Sequence, residues 1–349
     1  MRTHLEKAAT PNGKLRRPTF LVKCSSQNQR VARMTNRPVF PRVFAAISAL
    51  LMSLAAVTAD AAPSAPPVAQ FQSFKIGTYR AVALKDGAIE APVDGKSFVL
   101  GQPNEAVSAV LKAGGAPADH FEFSIQPLLV HAGAHVLLFD TGAGGFFGDI
   151  AGKLPESMMA AGEKPGSVTD IFISHAHGDH IGGLLTSTGA LAFPNATIHI
   201  SAPEWKWLSG LSADEAKNFG IQQVPALVSA MKPKVVAFEP GADLLPGIVK
   251  AVELKGHTPG HSGYRIGSGP DSVLVFGDAM HSYLVSVRKP SWRVAFDADQ
   301  QLGATTRDAL VKSSAASGQR LYSEHFPFPG IGKIVMGKDG ASWQPESSH

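Results

Sequence analysis

Cysteine is almost absent from this chain: 349 residues hold one, Cys24. That excludes a disulfide scaffold. Charged residues are sparse at 17%, but hydrophobic residues reach 44%, which excludes low-complexity disorder and leaves ample material for a core. Internal repeats are missing, and there is no series of long apolar runs of the kind a multi-span membrane protein needs.

The formal net charge of +4 and pI near 9.1 would by themselves suggest a nucleic-acid or anionic-surface partner. The position of the charges removes that reading. Residues 1 to 62 carry ten of the 32 bases and two of the 28 acids, so the rest holds 22 bases and 26 acids, a net charge of −4. No basic stripe remains for a nucleic acid. From Met34 the leader reads as a basic stretch, an apolar run from Val43 to Ala59, and a small-residue site at Ala59-Asp60-Ala61. This is the pattern of a secretory signal, and the run is at or below the length of a membrane span. The expectation is an N-terminal extension and signal over 1–62, a linker over 63–72 and one domain over 73–349. Its location would be periplasmic or secreted, with no stable membrane association once the signal is removed.

Within the body, apolar strand-like runs occur at Phe121 to Val130, His135 to Phe139, Ile171 to Ser174, Thr197 to Ile200, Lys234 to Phe238, Ile248 to Leu254, Tyr264 to Ile266 and Ser272 to Phe276. Helices are expected at Ala106 to Lys112, Pro155 to Ala161, Ser212 to Phe219, Val224 to Met231 and Thr305 to Ser314, with another beginning near Ile181. Strands in pairs, then strands alternating with helices, imply a layered α/β fold with mixed sheets.

The 13 histidines concentrate the chemistry. His175-Ala176-His177-Gly178-Asp179-His180 places four metal-binding side chains in six residues, just past a buried strand. In extended or turn backbone His175 and His177 project to one side and can grip one cation, while Asp179 and His180 face a second. Further candidates end other strands: His257 in Gly256-His257-Thr258-Pro259-Gly260-His261, Asp278 after Phe276-Gly277, and His325 in Ser323-Glu324-His325. A sheet collects such strand ends at one edge. His261 reads as a loop-structural residue beside them.

The set HAHGDH, GHTPGH, FGDAMH and SEHFPFPG, with LLFDTGAGG at 137–145, resembles the metallo-β-lactamase fold of binuclear hydrolases. More narrowly, the leader, FPNA at 193–196 and HFPFPGIG at 325–332 resemble the methyl parathion hydrolase group and its lactone- and ester-cleaving relatives. The resemblance implies a four-layer αββα sandwich of two mixed sheets flanked by helices. It implies that His175, His177 and His257 hold one metal, that Asp179, His180 and His325 hold the other, that Asp278 bridges them, and that Asp140 orients a ligand histidine.

Two divalent cations are expected. Nitrogen and carboxylate ligands suit Zn²⁺ and are also compatible with Mn²⁺, Fe²⁺ or Co²⁺. A hydroxide shared by two metals would attack a lactone, aryl ester or organophosphate triester, with Asp179 helping the leaving group to a proton and Asp278 holding the metals. Phe147 and Trp207 fall where the resembled group places pocket aromatics, and His281 stands where the lactonase pattern has tyrosine; all three are expected to contact a small-molecule substrate. The alternatives are a β-lactamase or glyoxalase II-like thioesterase, or a non-catalytic metal-binding protein. The resemblance also suggests a homodimer.

Overall fold

The computed structural model describes residues 68–346; the expected leader and the start of the expected linker lie outside the described residues. The first half of the fold contributes β1 (Gln70–Ile76), β2 (Tyr79–Lys85), β3 (Gly87–Pro92), β4 (Val99–Leu100), β5 (His120–Ile125), β6 (Leu128–Ala132), β7 (His135–Phe139), β8 (Asp170–Phe172), β9 (Thr197–Ser201) and β10 (Val235–Phe238). The second half adds β11 (Asp243–Leu245), β12 (Val249–Glu253), β13 (Ser262–Ile266), β14 (Val273–Val275), β15 (Arg293–Val294), β16 (Arg320–Tyr322), β17 (Ile331–Gly337) and β18 (Gly340–Pro345). The helices are α1 (Asn104–Ala113), α2 (Leu154–Ala160), α3 (Gly178–Ile181), α4 (Ala202–Gly210), α5 (Ala213–Lys217), α6 (Val224–Met231), α7 (Val285–Arg288) and α8 (Gln300–Ser317).

Two seven-stranded mixed sheets form, ordered β1-β2-β6-β7-β8-β9-β10 and β11-β12-β13-β14-β16-β17-β18. In the first, β7, β8, β9 and β10 run parallel. In the second, only β14 and β16 do. Alternate residues of one strand enter different cores, as the two-residue period of a strand requires. Leu138 and Ile171 pack outward beneath α2, α4 and α6, whereas Leu137, Phe139 and Phe172 face the second sheet. There they meet Val249, Tyr264, Val275 and Tyr322, and the outer face of the second sheet packs on Leu310 and Val311 of α8. Burial on both faces explains why these strands read as continuous apolar runs. The result is the expected four-layer αββα arrangement.

Several expectations need correction. The run Phe121–Val130 is two strands: Pro127 has no N–H to continue a ladder. The Gln126 side chain turns inward, its Nε2 donating to the carbonyls of Ser323 at 2.8 Å and Phe326 at 2.9 Å. Hence β5 pairs with β3 in a separate ribbon, and β6 joins the first sheet. No long helix begins at Ile181. The turn α3 starts earlier and gives way to a 3-10 turn at Gly182–Leu184, because the loop after β7 crosses at backbone distance: a Cβ on Gly182 would sit 2.0 Å from the Ala143 carbonyl oxygen. The linker ends before Gln72, since Gln70 to Gln72 already pair with Ala83 to Lys85. Helix α4 and the N- and C-terminal hairpins were not anticipated. No helix among the described residues is long and apolar enough to cross a membrane.

Phe139 stacks on Phe172 at 5.0 Å between the sheets. Phe139→Ala should cost about 3–5 kcal/mol, read as a lower urea midpoint, whereas Met159→Ala at a 73% exposed position should stay within about 0.5 kcal/mol.

Candidate metal centre

The candidate ligands come from the carboxyl ends of strands in both sheets. Asp140 follows β7, the His175–His180 segment follows β8, His257 follows β12, Asp278 follows β14 and His325 follows β16. The sheets face each other, so these ends converge. His175, His177, His257 and Asp278 offer ligand atoms within 4.8 Å of one another, and Asp179, His180 and His325 form a second such group.

Asp278 stands between them. Its Oδ1 lies 3.2 Å from His180 Nε2 and 2.9 Å from His325 Nε2. Its Oδ2 lies 3.2 Å from His257 Nε2 and 3.6 Å from His175 Nε2. Asp179 Oδ2 is 3.7 Å from both His180 Nε2 and His325 Nε2.

The outward nitrogens of His180, His257 and His325 are fixed by hydrogen-bond partners, which assigns their tautomers, whereas His177 Nε2 is buried without one. His180 Nδ1 donates to Asp140 Oδ2 at 2.8 Å, and that carboxylate also accepts from the Ser174 amide and hydroxyl at 2.7 Å each. Asp140 holds this pose at φ 56°, a left-handed conformation that Asp tolerates better than most residues. His257 Nδ1 donates to Asp297 Oδ1 at 3.2 Å, and the buried Arg307 guanidinium donates to Asp297 Oδ2 at 3.0 Å. His325 Nδ1 donates to the Ser124 carbonyl at 2.7 Å. His261 does not reach the ligand groups. Its Nδ1 donates to the Leu254 carbonyl and its Nε2 accepts the Asp278 N–H, both at 2.9 Å, so it seats the backbone of Asp278. Burial pushes His261 down to about 3, keeping it neutral for both bonds.

The inner nitrogens point at each other. His257 Nε2 lies 3.2 Å from His175 Nε2 and 3.0 Å from His177 Nδ1, and His180 Nε2 lies 3.2 Å from His325 Nε2. Lone pairs at such range need an added proton or a cation. Two donors bound at about 2.0–2.1 Å with tetrahedral angles stand about 3.3 Å apart, so the spacing fits a transition metal such as zinc.

The electrostatics agree. Burial pushes His175 and His177 well below the ordinary imidazole value. For His180 burial acts in the same sense, but Asp278, Asp179 and Asp140 outweigh it and hold the ring well above that value. His257 is likewise held up to about 9 by Asp278 and Asp297 against its burial. Burial alone would raise Asp278; the imidazoles around it hold it well below the carboxylate range.

Above this centre lies a cleft that opens to solvent. His177, Asp179, His257, Asp278, His281 and His325 form its floor, while Phe147, Phe219, Phe123 and Phe296 form its apolar walls. Phe147 is therefore on the cleft as expected, and so is His281, whose Nε2 lies 3.0 Å from Asp278 Oδ2. Trp207 is not. Half-buried against the outer core of the first sheet, it packs on Phe219 at a ring-centroid distance of 4.8 Å and meets the His177 ring edge-on at 6.1 Å without joining the cleft lining.

Sequence reasoning missed Phe219, Phe296, Asp297 and Glu204. Glu204 is buried on α4 and accepts from the Ala176 amide, the Thr258 hydroxyl and the Gly260 amide at 2.8 Å each, tying the two histidine loops together. Its sequence signal was an acid three residues after Ser201, the spacing of a helix cap; only the Ser201 half of that cap forms, accepting the Glu204 amide.

The description Metallo-beta-lactamase superfamily matches residues 122–315. Among solved structures, AidC, a dizinc quorum-quenching lactonase solved with an N-hexanoyl-L-homoserine product, is similar at 30% identity and TM-score 0.72, covering 80% of this chain and 98% of its own. The hydrolase AbOPH of the beta lactamase superfamily is similar at 28% identity and TM-score 0.70, covering 80% and 99%. A probable metal-dependent hydrolase from Staphylococcus aureus shares the fold at 19% identity and TM-score 0.65, covering 79% and 100%. No curated protein matches significantly.

Two outcomes follow for metal binding. Asp297→Asn, which weakens the acceptor behind His257, should lower metal affinity about 10–100-fold in chelator competition. Protons held on His180, His257 and His325 oppose cation entry below their raised values. Affinity should therefore rise with pH up to about 9, with protons released on metal addition to weakly buffered protein.

Proposed function

The chain belongs to the metallo-beta-lactamase superfamily, and from that membership we propose that it is an exported, binuclear metal-dependent hydrolase of neutral esters: lactones, aryl esters or organophosphate triesters. One observation carries the reading: the position of Asp278 between two candidate ligand groups, at the floor of a cleft whose lining among the described residues includes no lysine or arginine.

That lining separates the enzyme readings. β-Lactams and glutathione thioesters carry carboxylates, and with no lysine or arginine among the described lining residues those groups would have to compete for the metal centre itself. Lactones, aryl esters and phosphotriesters are neutral, and their apolar parts suit a wall of Phe123, Phe147, Phe219 and Phe296.

His175, His177 and His257 would hold one cation and Asp179, His180 and His325 the other, with Asp278 shared. Two divalent cations there, zinc being the ion that the donors and the dizinc relative favour, would supply Lewis acidity and ease ionisation of the attacking water. The residues themselves do the rest. Asp278 sets the spacing of the two groups. Asp140, Asp297 and the Ser124 carbonyl fix the rings of His180, His257 and His325. We assign to Asp179, on the cleft floor, transfer of the proton lost by the attacking water to the departing oxygen. His281, on the floor beside Asp278, is assigned to substrate contact. The proposal includes export through the 1–62 leader and assembly as a homodimer.

Purified protein should hold two metal ions and turn over dihydrocoumarin, an acyl-homoserine lactone, an aryl acetate or methyl paraoxon, with little turnover of a cephalosporin or a glutathione thioester. His177→Ala and Asp278→Ala should lose both the metal and at least about 10³-fold in rate. Two retained metals with none of these neutral esters cleaved would reject the reading.

A further inference from the structure

Asp86, just past β2, is fully buried and belongs to none of the ligand groups. Its carboxylate accepts three backbone N–H bonds: Ala143 to Oδ2 at 2.9 Å, Gly152 to Oδ2 at 3.1 Å and Leu154 to Oδ1 at 2.7 Å. Its own carbonyl accepts the Lys153 N–H at 3.0 Å. These donors sit at the two ends of one loop, residues 141 to 153, that leaves Asp140 and returns to α2. Gly142 passes directly over the carboxylate, where a Cβ would stand 2.6 Å from Asp86 Cγ.

The middle of that loop carries Phe147 into the cleft. The Phe147 ring packs on Ile125, Ala143 and Ala151, and presses so closely on Gly220 that a Cβ there would lie 2.7 Å from the ring. Ala143 is thus both a donor to Asp86 and part of the floor under Phe147. The loop crosses Gly182 and Gly183 at backbone distance, but beside that crossing its packing is incomplete. A second cavity, lined by Gly144, Gly152, Leu154, Met158, Leu185 and Phe193 among others, lies there. A segment backed by a cavity gains little from dispersion contacts on that side, so its placement falls to its hydrogen bonds.

We infer that Asp86 is a positioning residue: by clamping both ends of the loop over residues 141 to 153 it holds Phe147 as a wall of the cleft and so sets affinity for the apolar part of the substrate, without acting on the metals. The rings of His180, His257 and His325 take their orienting bonds from Asp140, Asp297 and the Ser124 carbonyl, none of them a partner of Asp86. The inference rests on the proposed hydrolase only for its kinetic readout.

Hydrogen–deuterium exchange of the metal-loaded protein tests it first. The amides of Ala143, Gly152 and Leu154 should exchange more slowly than those of Gly148 to Ile150 in the middle of the loop. In Asp86→Asn, whose amide turns an N–H toward at least one of the three donors, the difference should vanish. Equal rates in the native protein, or protection unchanged in the variant, would overturn the clamp whatever the substrate proves to be. With 4-nitrophenyl acetate, Asp86→Asn should raise KM about tenfold while kcat stays within about twofold and the metal content is unchanged. In a Phe147→Ala background the same substitution should leave KM where it was, since the two residues act in series. An undiminished effect in that background, or loss of metal in place of the KM change, would also overturn it. If the native protein cleaves no ester, the hydrolase reading fails while the exchange result still decides the role of Asp86. If Asp86→Asn does not fold, the native exchange pattern decides alone.

Discussion

The Asp278 carboxylate lies almost wholly out of water, and each of its oxygens faces nitrogens from a different group of histidines. A buried charge is tolerated only where opposite charge or strong donors surround it. Asp278 therefore demands that loops from both sheets close around it at once, and the architecture meets that demand. Strands β8, β14 and β16 end at the same edge, so His175, His180, Asp278 and His325 meet although they lie far apart in sequence. His261 and the tight turn at Gly277, φ 53°, then set the backbone of Asp278 itself.

Outside this centre a set of buried carboxylates ties loops together. Asp140 joins the β7 and β8 ends, Glu204 joins the two histidine loops, and Asp297 links His257 to Arg307. Arg307 in turn donates to the carbonyls of Ala279, Pro290 and Trp292, so one guanidinium braces the segment after Asp278 and the approach to the cleft residues Ala295 and Phe296. Charge-assisted bonds of this kind are directional where apolar packing is not. That suits a site in which the angle of each imidazole matters more than its mere presence.

The candidate ligand residues were legible because metal binding needs particular side chains at short spacing. HAHGDH compresses four of them into six residues, and turn chemistry alone would not do that. The apolar strands were legible because burial on both faces leaves near-continuous runs. The break at Gln126-Pro127 was hidden by apolar flanks that suit one strand or two. Trp207 was misplaced because an aromatic near a site can face the cleft or the core behind it. The supporting acids Glu204 and Asp297 carry no local pattern that separates them from cap and turn residues; their partners are 28 to 56 and 10 to 40 positions away in the chain.

The sequence by itself determined the layered α/β class, the metal-binding chemistry and the acidic character of the body beyond residue 62, because each follows from which side chains are present and how close together they stand. Only the tertiary structure decided which nitrogen of each histidine faces inward, which aromatics wall the cleft, and that Asp86 reaches both ends of the loop carrying Phe147. Those are relations between strand ends brought together by sheet pairing and by burial between layers. Composition and spacing constrain neighbours along the chain, whereas hydrogen-bond direction and access to a cleft depend on neighbours in space.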